Sequence, residues 1–111
     1  MITAGDMKAF QNYSEWVERK IITDSKDRLM ENTLGLMGEA GEVAEKVKKR
    51  IRDNETIKPE DIVRELGDVV FYATALSNFY GASLGITIAE NMMKLDGREA
   101  RGTIKGSGDE R

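Results

Sequence analysis

Apolar residues recur at helical spacing in four stretches of the chain, separated by short polar or glycine-bearing links. The first runs from Asp6, read as an N-cap, to Ile22, with Met7, Phe10, Tyr13 or Ser14, Val17 and Ile21 on one stripe and Trp16 beside it. A polar link, Thr23 to Arg28, follows. The second stretch, Leu29 to Arg52, places Leu36, Met37, Ala40, Val43, Ala44, Val47 and Ile51 on one apolar arc. Asp53 to Lys58 reads as a turn. Pro59 suits the first position of a third helix reaching Tyr80, with Glu60 and Asp61 at its positive end and Ile62, Val63, Leu66, Val69, Val70, Ala73 and Leu76 on its core face. Gly81 is a stop, and a fourth helix from Ser83 or Leu84 to about Arg98 repeats Leu84, Ile88, Met92 and Leu95. The pattern predicts an all-α domain of four main helices over residues 1–101, arranged as an antiparallel helix-hairpin bundle. The glycine-rich tail 102–111, GTIKGSGDER, has no apolar period and is either a frayed end or a lid.

The polar side of this pattern is uneven. Glu39-x-x-Glu42 borders the arc of the second helix, and Glu65-x-x-Asp68 lies on a stripe with Asp61 and Tyr72 that adjoins the core face of the third. Residues three apart share a helix face, so each pair offers two carboxylates side by side. If the two helices fold back about Asn54, Glu42 comes level with Leu66 and Glu39 with Val69, which puts both pairs within about one helical turn of the same height. Gly38 and Gly41, in the segment GEAGE, each cost about 0.5 to 1 kcal/mol relative to alanine inside a helix, which suggests that a backbone or a ligand comes close there.

Composition narrows the chemistry. A chain of 111 residues builds one small core with little surplus. Seventeen basic against 20 acidic residues give a net charge of −3, too balanced for coating a nucleic acid polymer by charge alone. With no cysteine and no histidine, thiolate nucleophiles, sulfur-ligated zinc, the Ser-His relay and imidazole bases are all excluded. Acid-base or metal chemistry must then use Asp, Glu, Lys or Tyr. No apolar run approaches a membrane span of roughly 20 residues, and the N-terminus does not read as a signal peptide, so a cytoplasmic protein is expected.

Taken singly, each acidic pair is weak. Glu42 with Lys46, or Glu45 with Lys49, can form ordinary i,i+4 ion pairs of about 0.2 to 0.5 kcal/mol, and the run Lys46, Lys48, Lys49, Arg50 and Arg52 complements the negative end of the second helix. Together they say more, because both pairs border apolar arcs at matched distances from the turn. Like charges at i,i+3 favour a neutralising cation, and four hard oxygen donors favour magnesium, with manganese as substitute, over zinc or copper. Trp16, with Phe10 and Tyr13, supplies either core or a base-stacking surface.

The segments LGLMGEAGEVAEKVKK and VRELGDVVFYATAL resemble the all-α, MazG-like nucleoside triphosphate pyrophosphohydrolases, whose signature is Glu-x-x-Glu, a spacer, then Glu-x-x-Asp. FQNYSEW, ENMMKLDGR and the GTI-x-G-x-GD-x-R ending extend the similarity over most of the chain. The resemblance implies magnesium-dependent cleavage of a nucleoside triphosphate between the α and β phosphates. By it, Glu39, Glu42, Glu65 and Asp68 hold the metal, and Asn91, Lys94 and Arg98 meet phosphates or sugar; carboxylate chemistry then makes Glu39 or Glu42 the base that activates water, with the other on the metal. One departure is Gly38, where many relatives carry an acidic residue.

The resemblance also implies a dimer or tetramer, and the apolar surface on the first and fourth helices points to completion of the bundle by self-association. The rival readings are a non-catalytic helical module whose stripes bind a partner helix, and a metal-dependent hydrolase of another phosphorylated substrate.

Overall fold

In the computed structural model, which describes residues 1–23 and 26–108, the chain forms α1 (Ala4–Lys20), α2 (Asp27–Asp53), α3 (Pro59–Phe79) and α4 (Leu84–Ala100). Helix α1 begins earlier than the N-cap reading of Asp6 placed it. Thr3 is the cap: its hydroxyl accepts from the Asp6 backbone N–H at 3.0 Å, and the Asp6 carboxylate accepts from the Thr3 N–H at 2.9 Å. This capping box satisfies two orphan donors at once, which a lone Asp N-cap would not. Of the expected link from Thr23 to Arg28, Asp24 and Ser25 lie outside the described residues, and Asp27 and Arg28 already belong to α2. Asn54 closes α2 in the left-handed region at φ 54°, a conformation its short polar side chain tolerates, and Pro59 opens α3 as expected. Gly81, at φ 76°, ends the third helical segment, and the Ser83 hydroxyl caps α4 by accepting from the Ile86 N–H at 3.2 Å.

Helices α2 and α3 form an antiparallel hairpin. The pairs Arg28–Ala75, Gly35–Tyr72 and Lys46–Glu65 climb one helix as they descend the other. Helix α4 turns away from α3 by 96° and packs on α1 and α3, with no close backbone approach to α2 among the described residues. The junction is polar: Ser14 Oγ accepts from the Leu84 N–H at 2.9 Å, and Asn78 Nδ2 donates to the Ser14 carbonyl at 3.0 Å. Gly85 packs here against Met7 and Phe10, a Cβ on it lying 3.0 Å from Met7 Cε and 3.4 Å from Phe10 Cβ. The Glu18 carboxylate joins three helices by accepting from both terminal nitrogens of Arg28 and from Asn78 Nδ2.

The interior is small. Val17 and Ala75 are the fully buried apolar residues, beside buried Ser14, Thr74 and Ser83. Val63, Leu66 and Val70, expected on the core face of α3, are instead exposed, as are Met37, Val47 and Ile51 of the α2 arc and Met30 and Leu34 of the same helix. Uncovered apolar surface therefore lies on the hairpin as well as on α1 and α4, where Met7, Trp16, Ile86, Met92 and Met93 are exposed. Helical periodicity reports that a face is apolar, not what covers it. Likewise Gly38 and Gly41 have nothing within 4 Å of where a Cβ would stand, and the tight glycine is Gly35. No single helix among the described residues is long and apolar enough to cross a membrane.

Candidate functional site

The hairpin register brings Glu39 of α2 opposite Glu65 and Asp68 of α3. One carboxylate oxygen from each lies within 4.8 Å of the others. Close approach one turn away allows this, since at Gly35 the Tyr72 ring occupies the space a side chain would take, with ring atoms 2.5 to 2.8 Å from an ideal Cβ. Glu39 and Glu65 are half-buried and Asp68 is exposed. Three of the four expected carboxylates thus converge. Glu42 is exposed and stands outside that group, although its charge still acts on Glu39.

Neither of the expected i,i+4 pairs, Glu42 with Lys46 or Glu45 with Lys49, forms among the described residues. Lys46 passes over Glu42 and approaches Glu65 at 4.0 Å, and Glu45 pairs with Lys48 at 3.0 Å rather than with Lys49. The cluster is electrostatically unfinished. A hydrogen bond with Glu65, then burial, then the charges of Asp68, Glu65 and Glu42 push the Glu39 carboxyl above its ordinary value. Burial first, and the Asp68 charge second, also push up the Tyr13 phenol. A divalent cation among hard oxygen donors would relieve this mutual repulsion, and three carboxylates with no softer ligand suit it.

Asn91 and Lys94 are not gathered with the acids in a single chain. They line a separate cleft with Ala82, Ile86, Thr87 and Glu90, on the helix that makes no close backbone approach to α2. Arg98 is buried, donates from Nη2 to the Gly108 carbonyl at 3.2 Å, and its own carbonyl accepts from the Thr103 N–H at 2.8 Å. Residues 102–108 form no helix and fold back on the end of α4 through these bonds; residues 109–111 of the expected lid lie outside the described residues. Trp16 is partly exposed, stacks on Tyr13 at 5.6 Å, meets Phe71 edge-on at 6.0 Å and carries Lys20 Nζ 5.6 Å from its ring centre.

Periodicity missed two residues near the acids. Tyr72, one turn beyond Asp68, was legible as part of the acidic stripe but not as the ring that seats Gly35. Asn32, two turns before Glu39 and 3 % exposed, gave a faint signal as an amide on the same face of α2.

Comparison with known proteins agrees with this geometry. The chain is similar to the Gene 37 protein of Mycobacterium phage L5, with 44% identity over 92 residues that cover 79% of this chain and 81% of the relative. No solved structure gives a significant match. Residues 28–102 match the MazG nucleotide pyrophosphohydrolase domain, a span that takes in both acidic pairs, the hairpin between them and α4. A hairpin that turns its acids toward one point, in a chain matched over that length, belongs to the MazG nucleotide pyrophosphohydrolase family.

Proposed function

We propose that the protein hydrolyses a nucleoside triphosphate between its α and β phosphates, releasing a nucleoside monophosphate and pyrophosphate, with magnesium as the resident cation. The observation that carries this reading is the approach of Glu39, Glu65 and Asp68 to within 4.8 Å on the matched hairpin. When bound, magnesium supplies charge neutralisation for the triphosphate and acidifies water, and manganese can substitute. Glu39, Glu65 and Asp68 would hold it. Glu42, exposed beside the group and outside it, is then the better base: its carboxylate takes the proton of the attacking water as the bond to the bridging oxygen breaks. Neither histidine nor a covalent nucleophile is needed.

A second copy of the chain completes the proposal. Met30, Leu34, Met37 and Ile51 on α2, with Val63 and Leu66 on α3, are exposed apolar side chains that a second copy would cover. A dimer or tetramer built on them would also let α4 of a neighbour carry Asn91 and Lys94 toward the acids, since in the single chain these two line a separate cleft. The substrate is a free nucleotide and not a polymer, in keeping with the net charge of −3, and a reducing cytoplasm is a compatible setting.

The test is pyrophosphate release from a panel of triphosphates with and without magnesium. Release is expected only with the metal and is abolished by Glu42→Gln with the melting temperature unchanged. No metal-dependent release from any nucleotide would leave a helical interaction module as the better account, and wild-type turnover by Glu42→Gln would remove that residue from the mechanism.

A further inference from the structure

Beside the acids lies a cleft of about 270 Å³, between the end of α1 and the α2–α3 hairpin. That volume is at the small end of small-molecule sites, suited to a planar ring rather than to a whole nucleotide. Its walls include Phe71 and Tyr72 of α3, Lys20 and Thr23 stand at its α1 side, and Asn32 of α2 lines it. Thr23 is fixed there by donating to Glu31 at 2.8 Å.

Asn32 is the unusual member. It is 3 % exposed, its Nδ2 is enclosed without a hydrogen-bond partner, and among the described residues its carboxamide makes no hydrogen bond. Leaving a buried amide unmet is costly, so such groups are almost always paired with protein, water or ligand. The cleft also stands in a defined relation to the acids. Asn32 and Glu39 are seven residues apart, so they share a face of α2 and are separated by about 10 Å along its axis. Tyr72 lines the cleft from one turn beyond Asp68, and its ring lies against Gly35 between the two. A ligand with a flat ring at Asn32 and its phosphates at Glu39, Glu65 and Asp68 would span that interval.

We infer that this cleft seats the nucleobase of the substrate, with Asn32 reading a donor-acceptor edge of the base while Phe71 and Tyr72 flank the ring. A carboxamide offers a donor and an acceptor side by side and can turn over to present either order, which matches the edge of a nucleobase and not a sugar or phosphate oxygen. Aromatic side chains supply the face. The inference rests on the proposed hydrolysis and adds to it the residue that selects the base.

The experiment has a variant-free arm. In ¹⁵N-labelled wild-type protein, the Asn32 side-chain amide resonances shift on titration with the nucleoside monophosphate whose triphosphate is hydrolysed best. The fluorescence of Trp16, the chain's single tryptophan and an edge-on neighbour of Phe71, changes with the same midpoint. In the variant arm, Asn32→Leu keeps the branching at Cγ, and removal of an unpaired polar group offsets the added bulk, so it melts close to wild type. Its ratio of kcat/KM between the best and worst bases falls roughly ten- to a hundredfold, mainly through KM for the best base. Asn32 resonances unmoved by every monophosphate at saturation overturn the inference, as does a wild type that takes all bases equally. An unchanged base ratio in Asn32→Leu does the same and leaves the amide as the partner of an ordered water. Absence of metal-dependent pyrophosphate release from every triphosphate overturns the proposed hydrolysis itself, a separate outcome.

Discussion

Replacing Gly35 by alanine tests whether the α2–α3 approach is set as tightly as the acid cluster requires. An ideal Cβ there would stand 2.5, 2.6 and 2.8 Å from Tyr72 Cε1, Cζ and Cδ1, where ordinary carbon contact begins near 3.5 Å. The ring must move by about 1 Å, and it is already held edge-on against Phe71 at 5.3 Å. Overpacking of this kind costs about 1 to 3 kcal/mol. Removing a glycine from a helix interior returns about 0.5 to 1 kcal/mol. The net expectation is a loss of up to about 2.5 kcal/mol, and each kcal/mol lowers the melting temperature of a domain this size by roughly 4 to 8 °C. Gly41→Ala is the matched control, since nothing lies within 4 Å of its Cβ position in the single chain. The assay is thermal melting at one fixed protein concentration, with Gly35→Ala repeated in a Tyr72→Leu background. Most of the cost should vanish there, while Tyr72→Phe, which keeps the clashing ring atoms, should not rescue it. If Gly35→Ala raises the melting temperature, the close approach is not real and the register argument fails with it.

Asp68→Asn should remove magnesium-dependent pyrophosphate release and also the magnesium-dependent rise in melting temperature, which for wild type is worth about 2.7 kcal/mol at a hundredfold excess over Kd; a variant still stabilised by magnesium would place the ion elsewhere. In acid, the Glu18 carboxyl is held below its usual range, first by the hydrogen bonds from Arg28 and further by Asn78, against burial. A depressed carboxyl stabilises the fold above its unfolded pKa of about 4.3, and that contribution is lost as pH falls through the folded value. Glu18 is 42 % exposed, so solvent screening limits the pair to about 1 kcal/mol; Glu18→Gln should flatten the stability profile below pH 4, and an unchanged profile would exclude the network. Light scattering at micromolar concentration should give a dimer or tetramer, and Leu34→Lys with Met37→Lys should dissociate it; a wild-type monomer would refute the assembly.

Much of the site was legible before any coordinates. Four helices follow from periods of three and four, and Pro59, Gly81 and Ser83 mark their ends by elementary backbone chemistry. The hairpin register also follows from counting outward from Asn54, because rise per residue is the same on both helices, so Glu39 had to meet the Glu65–Asp68 turn of α3. Pattern reading went astray where a property depends on a neighbour. Val63, Leu66 and Val70 read as core face yet are exposed, because apolarity in one helix does not name the surface that covers it.

Tertiary structure decided the rest. That Glu42 stands outside the convergent group while Glu39 joins it turns on the rotation of α2 about its own axis, which Gly35 and the Tyr72 ring fix through contact. That Asn91 and Lys94 lie in another cleft follows from the 96° turn after Gly81, a long-range angle no local spacing encodes. Asn32 is polar in the sequence and becomes informative only when folding encloses it without a partner. Local chemistry sets which residues share a helix face; the packing between helices sets which of those faces can meet one ion or one ring.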